Sequence, residues 1–111
     1  MDAVTGLSGS GPAYVFAMIE ALRDAGAREG LEEEVALKLA SQTVFGAAKL
    51  LREQQESPEV LRERVTSPGG TTRAGLDALD AAGFAEIMAG AVRAATRRSV
   101  ELRQMVGNTA N

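Results

Sequence analysis

Apolar residues recur at helical spacing along nearly the whole chain, and this spacing decides which folds are open to it. Val15, Met18, Ile19 and Leu22 fall at i, i+3, i+4 and i+7, so they share one face of an α-helix. No segment keeps the alternation of apolar and polar residues that a half-buried strand requires. The sequence therefore predicts an all-α fold, a bundle of about five helices without internal repeats or long linkers.

Start and stop signals set the expected helix bounds. Ser57 and Pro58 form a cap and a first helical position, and Gly83 is suited to follow a helix end. We expect an extended, glycine-rich lead-in over 2–11 and a polar, frayed tail over 106–111. Between them we expect five helices: Pro12 to the glycines at 26 and 30, Glu32–Gln54, Pro58–Val65, Thr71 or Thr72 to Gly83, and Phe84–Met105.

The second predicted helix is apolar or small on nearly every side from Leu39 to Leu51, because Phe45 and Ala48 interrupt its polar stripe. A helix that is apolar all round is buried all round. The chain has 111 residues, is rich in alanine and has only 4% aromatic residues. Its own core therefore buries little area, and a second chain is predicted to cover this helix. The alternative is that Phe45 is a lone exposed aromatic side chain.

The composition excludes several classes of chemistry. The chain has no Cys and no His, which excludes thiol nucleophiles, disulfides, Cys/His zinc sites and Ser-His-Asp triads within it. A net charge of -3 gives no attraction to nucleic acid or anionic lipid. No apolar run approaches the roughly 20 residues that span a bilayer, and no signal peptide is visible. We expect a cytoplasmic protein without a metal site.

The loop Ser67–Thr72 is the first candidate for chemistry. Pro68 fixes φ, two glycines allow left-handed backbone, and the following helix directs free N–H groups toward the loop. Together with three hydroxyl groups, these features predict a neutral cradle for a carboxylate or a phosphate. The alternative is an ordinary turn capped by threonine.

A second glycine-rich stretch, Thr5–Pro12, also precedes a helix start. It could bind an anion, or it could be a flexible lead-in that lets loop and helix pack closely. It lacks the lysine of a P-loop and follows no strand, so it is neither a Walker motif nor a dinucleotide fingerprint.

Both stretches resemble one family. Asp2–Tyr14 is similar to the opening of the C-terminal domain of pyrroline-5-carboxylate reductases. Val65–Thr72, followed by Ala74-Gly75-Leu76 and Leu79-Asp80, resembles that family's signature, and Gly46–Lys49 and Gly83-Phe84 agree in place. The resemblance covers residues 2 to 102.

The resemblance implies the last step of proline synthesis, in which hydride from NADPH or NADH reduces 1-pyrroline-5-carboxylate to proline. In this family a Rossmann domain precedes the helical domain, helical domains interlock as a homodimer, and dimers assemble into decamers. Each active site lies between the Rossmann domain of one subunit and the helical domain of the other. Residues 1–111 would be the single helical domain. Because no dinucleotide motif precedes residue 2, we expect this chain alone to bind no cofactor and to be inactive.

The resemblance also implies residue roles. The substrate carboxylate would bind the loop at Ser67, Gly69, Gly70, Thr71 and Thr72. The Thr72 hydroxyl would lie near the ring nitrogen, and since a threonine is a poor acid we assign it to orientation. Thr5 and Ser10 are weaker candidates for lining the cofactor side.

Two alternatives stay open. One is a pure helical oligomerisation module, in which the loop is only a turn. The other is the helical domain of a different Rossmann-type reductase, for an imine or a hydroxy acid. Such relatives use a lysine or an acid near the site, and the only lysines, Lys38 and Lys49, lie on the second predicted helix.

Overall fold

A computed structural model describes the backbone of residues 1–110 and the side chains of residues 1–107. Within that range the chain contains helices and no strand, which confirms the all-α prediction. The elements are α1 (Asp2–Val4), a π-helical turn (Thr5–Gly9), α2 (Gly11–Arg28), α3 (Glu33–Gln54), α4 (Pro58–Arg64), α5 (Thr71–Ala81) and α6 (Phe84–Ala110).

Local sequence signals end α2 and begin α4. Gly30 has a φ of 109°, and its N–H donates to Ala27 O while Leu31 N–H donates to Gly26 O, each at 3.1 Å. This is the pattern of a Schellman motif, which closes α2. At α4, Ser57 Oγ accepts from Val60 N–H at 3.2 Å, as an N-cap does. Both boundaries were predicted from these residues.

The predicted extended lead-in over residues 2–11 is wrong, since residues 2–9 are helical. Glycine disfavours helix by about 1 kcal/mol in an exposed position, but Gly6 is buried here against α6. Two hydroxyls also bond to backbone one turn earlier, Thr5 Oγ1 to Met1 O and Ser8 Oγ to Val4 O. Tertiary contact therefore outweighs the local propensity.

The predicted end of the last helix at Met105 is also wrong, because α6 continues to Ala110. Gly107 lies within this helix, and one glycine does not stop a helix without a capping arrangement. Of the predicted tail 106–111, Asn111 lies outside the described residues.

The chain forms two compact units. The first combines residues 1–15 with the chain from Ala78 onward, and there the N-terminal turn packs on α6. The second is residues 16–77, in which Ala36 and Ala40 of α3 are buried and Gly26 of α2 lies close to Ala36.

Most large apolar side chains of the described residues are exposed. On α3, Phe45 is 61% exposed and Leu39 is 54% exposed, and Leu50 and Leu51 are also classed as exposed. Buried positions among residues 1–107 are Gly6, Ala36 and Ala40. Four large apolar side chains in the middle of α3, Leu39, Phe45, Leu50 and Leu51, are therefore uncovered within this chain, while Ala40 is buried. Among the described residues, no helix combines the length and apolar character needed to cross a bilayer.

Candidate functional site

The loop Ser67–Gly70 connects α4 to α5 and closes as a hydrogen-bonded turn. Gly70 N–H donates to Ser67 O at 3.1 Å. Pro68 occupies the second position of this turn, and Gly69, with a φ of 72°, occupies the third. A proline followed by a residue with positive φ is what a type II turn requires, so the Pro-Gly pair specifies this loop locally.

Backbone and side-chain donors converge where the loop meets α5. Gly70 O accepts from Ala74 N–H at 3.1 Å, so the helix begins at once. In the part of the chain that the structure describes, no acceptor reaches the N–H groups of Thr71, Thr72 and Arg73. The hydroxyls of Ser67, Thr71 and Thr72 likewise have no hydrogen-bond partner within residues 1–107, and all three residues are exposed. The arrangement can donate several hydrogen bonds to one anion.

An open cavity of about 360 Å³ adjoins the loop, and Glu63, Thr66, Pro68 and Arg73 line it. Arg73 Nε lies 3.2 Å from Asp77 Oδ1, one turn further along α5. Thr66 Oγ1 donates to Arg62 O at 2.6 Å, so its hydroxyl is used in ending α4. The side chains beside the loop thus carry charges of both signs. The main feature of the loop is therefore its uncharged hydrogen-bond donors, the backbone N–H groups and the hydroxyls.

Thr5 and Ser10 belong to the first compact unit, whereas the loop belongs to the second. Thr5 lies in the π-helical turn, where its O accepts from Ser10 N–H at 2.8 Å. Ser10 follows that turn, and its O accepts from Ala13 N–H at 3.1 Å at the start of α2. Within residues 1–107 no group of three or more acidic side chains could hold a metal ion.

The contacts that hold the N-terminal turn on α6 were not predicted from the sequence. Asp2 accepts from Ser99 Oγ and from Arg103 Nη2, and Tyr14 Oη donates to Gly6 O at 2.8 Å. Asp2 and Tyr14 stand in the motif that carries the resemblance, but the partners of Asp2 lie 97 and 101 residues away, and such separations leave no local signal.

These contacts make the stability of the fold depend on pH. The Arg103 hydrogen bond, and then the Ser99 hydrogen bond, hold the pKa of Asp2 below its ordinary value, which is about 3.9 in a free chain. A folded pKa below the unfolded one adds stability above the unfolded pKa, and that stability is lost as pH falls through the folded pKa.

We therefore expect Asp2→Asn to lower the free energy of unfolding at neutral pH, with the difference from wild type shrinking below about pH 4. Urea unfolding of both proteins between pH 2.5 and pH 7, at one protein concentration, measures this difference. A difference that stays constant over the whole range would contradict the assignment.

A family model described as pyrroline-5-carboxylate reductase dimerisation matches residues 1–102. Two reductases of the same name are similar over most of this chain. The one from Synechocystis is 58% identical over 92% of this chain and 38% of its own length, and the one from Arabidopsis thaliana is 56% identical over 93% and 37%.

Solved structures of pyrroline-5-carboxylate reductases are similar as well. The Coxiella burnetii enzyme gives a TM-score of 0.88 at 44% identity, covering 91% of this chain and 37% of that one. The Plasmodium falciparum enzyme, solved with NADP bound, gives a TM-score of 0.86 at 38% identity, and the match covers 89% of this chain and 38% of that one. This chain thus spans less than two fifths of the length of the relatives it matches.

Proposed function

The chain belongs to the pyrroline-5-carboxylate reductase family as the dimerisation domain of such an enzyme, and we propose that it also supplies the substrate-binding loop of a full-length reductase. That reductase converts 1-pyrroline-5-carboxylate to L-proline in the cytoplasm with NADPH or NADH. Alone, without the remainder of the reductase, the domain is inactive and binds no cofactor. The proposal rests on the turn and the free donors at the start of α5.

The loop suits an anion such as a small carboxylate. Ser67, Gly69, Gly70, Thr71 and Thr72 form the proposed substrate site. The N–H groups of the first turn of α5 have no acceptor within the described chain, and a helix N-terminus favours negative charge. Gly69 is needed for its positive φ, and the hydroxyl of Thr71 extends the donor set for the carboxylate.

The reaction adds a hydride to the carbon of a C=N bond, and the bound nicotinamide supplies that hydride. A neutral imine nitrogen would then need a proton, whereas an iminium substrate already carries it. Thr72 accordingly orients the ring through a hydrogen bond at its nitrogen and is not a proton source. Thr5 and Ser10 would line the cofactor side. Both roles are proposals from the resemblance and from the chemistry of the hydroxyl group.

The exposed apolar side chains of α3 support a dimer as the folded unit. Phe45 is 61% exposed and Leu39 is 54% exposed in the middle of this helix. Apolar surface of this kind favours burial against another chain, so we propose that two copies interlock across it. Assembly of such dimers into decamers is proposed for the full-length reductase only.

Light scattering over a dilution series tests this assembly. We expect twice the 11.6 kDa mass of one chain at all concentrations down to the micromolar range. Phe45→Arg should shift the mass toward one chain because it places a charge on the exposed apolar face of α3, whereas Phe45→Leu should leave it unchanged. A well-folded wild-type monomer would contradict the interlocked dimer and leave Phe45 a surface residue.

A further inference from the structure

Asp2 joins the N-terminal turn to α6 through both oxygens of its carboxylate. Ser99 Oγ donates to Oδ1 at 2.9 Å, and Arg103 Nη2 donates to Oδ2 at 2.7 Å. The side chain of Asp2 is 21% exposed, and that of Arg103 is 65% exposed. Two donors on separate oxygens fix the rotation of the carboxylate as well as its position. We call Asp2, Ser99 and Arg103 the clamp.

The backbone of the turn also lies directly on α6. Gly6 is buried, and a Cβ added there would lie 2.8 Å from Val92 O and would overlap Thr96 Oγ1. Thr96 Oγ1 already donates to Val92 O at 2.7 Å, so it is held in place. Tyr14 Oη donates to Gly6 O from the start of α2. The N-terminal turn is therefore held at Asp2 before its π-helical part, at Gly6 within that part, and at Tyr14 after it.

The contacts that the turn makes with α6 follow one stripe of that helix. Val92, Thr96, Ser99 and Arg103 are separated by four, three and four residues, which places them on one helix face. They extend along about 17 Å of the helix axis. The contacts are mostly directional hydrogen bonds, while large apolar side chains elsewhere in the described chain lie exposed. Such contacts specify geometry more than they bury area.

The π-helical turn is the element that the clamp controls. A π-helical turn contains one residue more than an α-helical turn, so it rotates the residues that follow by about 100° relative to a continuous α-helix. Such turns are rare and often stand at functional positions. Ser10 follows the turn immediately, and Thr5 begins it. The direction in which Ser10 points relative to Thr5 therefore depends on the turn being kept.

We propose that the clamp is a positioning device, which holds the π-helical turn so that Thr5 and Ser10 face the cofactor side of the active site. This inference rests on the proposed function. Asp2, Ser99 and Arg103 touch neither substrate nor cofactor and act through the turn. Their loss loosens the turn and weakens cofactor binding, while the loop at the start of α5 keeps its affinity for substrate.

Hydrogen exchange in the isolated chain tests the clamp itself. Asp2→Asn and Ser99→Ala are expected to speed amide exchange over Thr5–Ser10 by about tenfold, the loss of one charge-assisted hydrogen bond, and Ser99→Thr should restore protection. Arg98→Gln is the matched control, because Arg98 pairs with Glu101 on α6 at 2.9 Å and does not contact the turn. Equal exchange over Thr5–Ser10 in wild type and Asp2→Asn would overturn the clamp.

Steady-state kinetics of the full-length reductase test the role of the clamp. The KM for NAD(P)H is expected to rise about tenfold in Ser99→Ala. In Ser99→Ala the substrate KM, measured at saturating cofactor, should stay near the wild-type value. In Ser99→Thr and Arg98→Gln the KM for NAD(P)H should also stay near the wild-type value. Equal increases in both KM values would show that the clamp is merely structural and would overturn the positioning role. Unchanged KM values in a variant whose amide exchange over Thr5–Ser10 is accelerated would overturn it as well. A wild-type enzyme that does not reduce 1-pyrroline-5-carboxylate would refute the proposed function instead, while hydrogen exchange would still judge the clamp.

Discussion

Thr72→Val in the full-length reductase is expected to lower kcat/KM for 1-pyrroline-5-carboxylate by about 100-fold, comparable to the loss of one preorganised donor in other active sites. The variant keeps the shape of the side chain and the backbone N–H groups of the loop. It removes only the hydroxyl that we assign to orienting the ring nitrogen. Because carboxylate binding by the loop is retained, most of the loss should appear in kcat and little in the substrate KM.

Thr43→Val provides a matched control for this experiment. The Thr43 hydroxyl donates to Leu39 O within α3 at 2.7 Å, away from the loop. The same chemical change there should leave kcat/KM within about twofold of wild type, as for most substitutions outside a site. If Thr72→Val behaves like this control, the loop is only a turn and the domain serves assembly alone.

Gly6→Val is expected to destabilise the isolated chain by about 3 kcal/mol or more, at the upper end of overpacking effects. The new side chain would overlap Thr96 Oγ1 and approach Val92 O and Thr96 N, which are backbone atoms of α6 and cannot move aside. The turn would have to leave α6, and the hydrogen bond from Tyr14 to Gly6 O would be lost with it. Since whole domains are stable by about 5–15 kcal/mol, the chain would lose a large part of its stability.

Urea unfolding at a fixed protein concentration measures this effect, because stability of a dimer depends on concentration. Gly75→Ala is the control, since a Cβ at Gly75 in α5 meets no atom within 4 Å. In that variant the higher helix propensity of alanine should leave stability unchanged or raise it by up to about 1 kcal/mol. A Gly6→Val protein as stable as wild type would mean that the turn does not pack on α6 in solution.

The helix boundaries and the loop follow from residues close together in the chain. Ser57 and Pro58 begin α4, Gly83 with a φ of 81° separates α5 from α6, and Pro68-Gly69 form the turn before α5. Each of these features depends on φ preferences or on a hydrogen bond within a few residues. The proposed substrate site could be predicted for the same reason, as its backbone donors and hydroxyls lie on nearly consecutive residues, and it stays a prediction.

The N-terminal segment could not be identified in this way. Its glycines and serines predict an extended lead-in, yet Thr5–Gly9 is a π-helical turn because Gly6 lies against Val92 and Thr96. Asp2 finds its partners in Ser99 and Arg103, and neither spacing nor composition connects residues that far apart.

By itself the sequence determined the all-α fold, the order and ends of most helices, the turn before α5, and an excess of apolar surface on α3. All of these depend on local backbone preferences or on helical periodicity, which are properties of short stretches. Only the tertiary structure decided the helical state of residues 2–9 and the pairing of Asp2 with α6. There a close backbone contact and hydrogen bonds across the chain outweigh a local preference of about 1 kcal/mol per glycine.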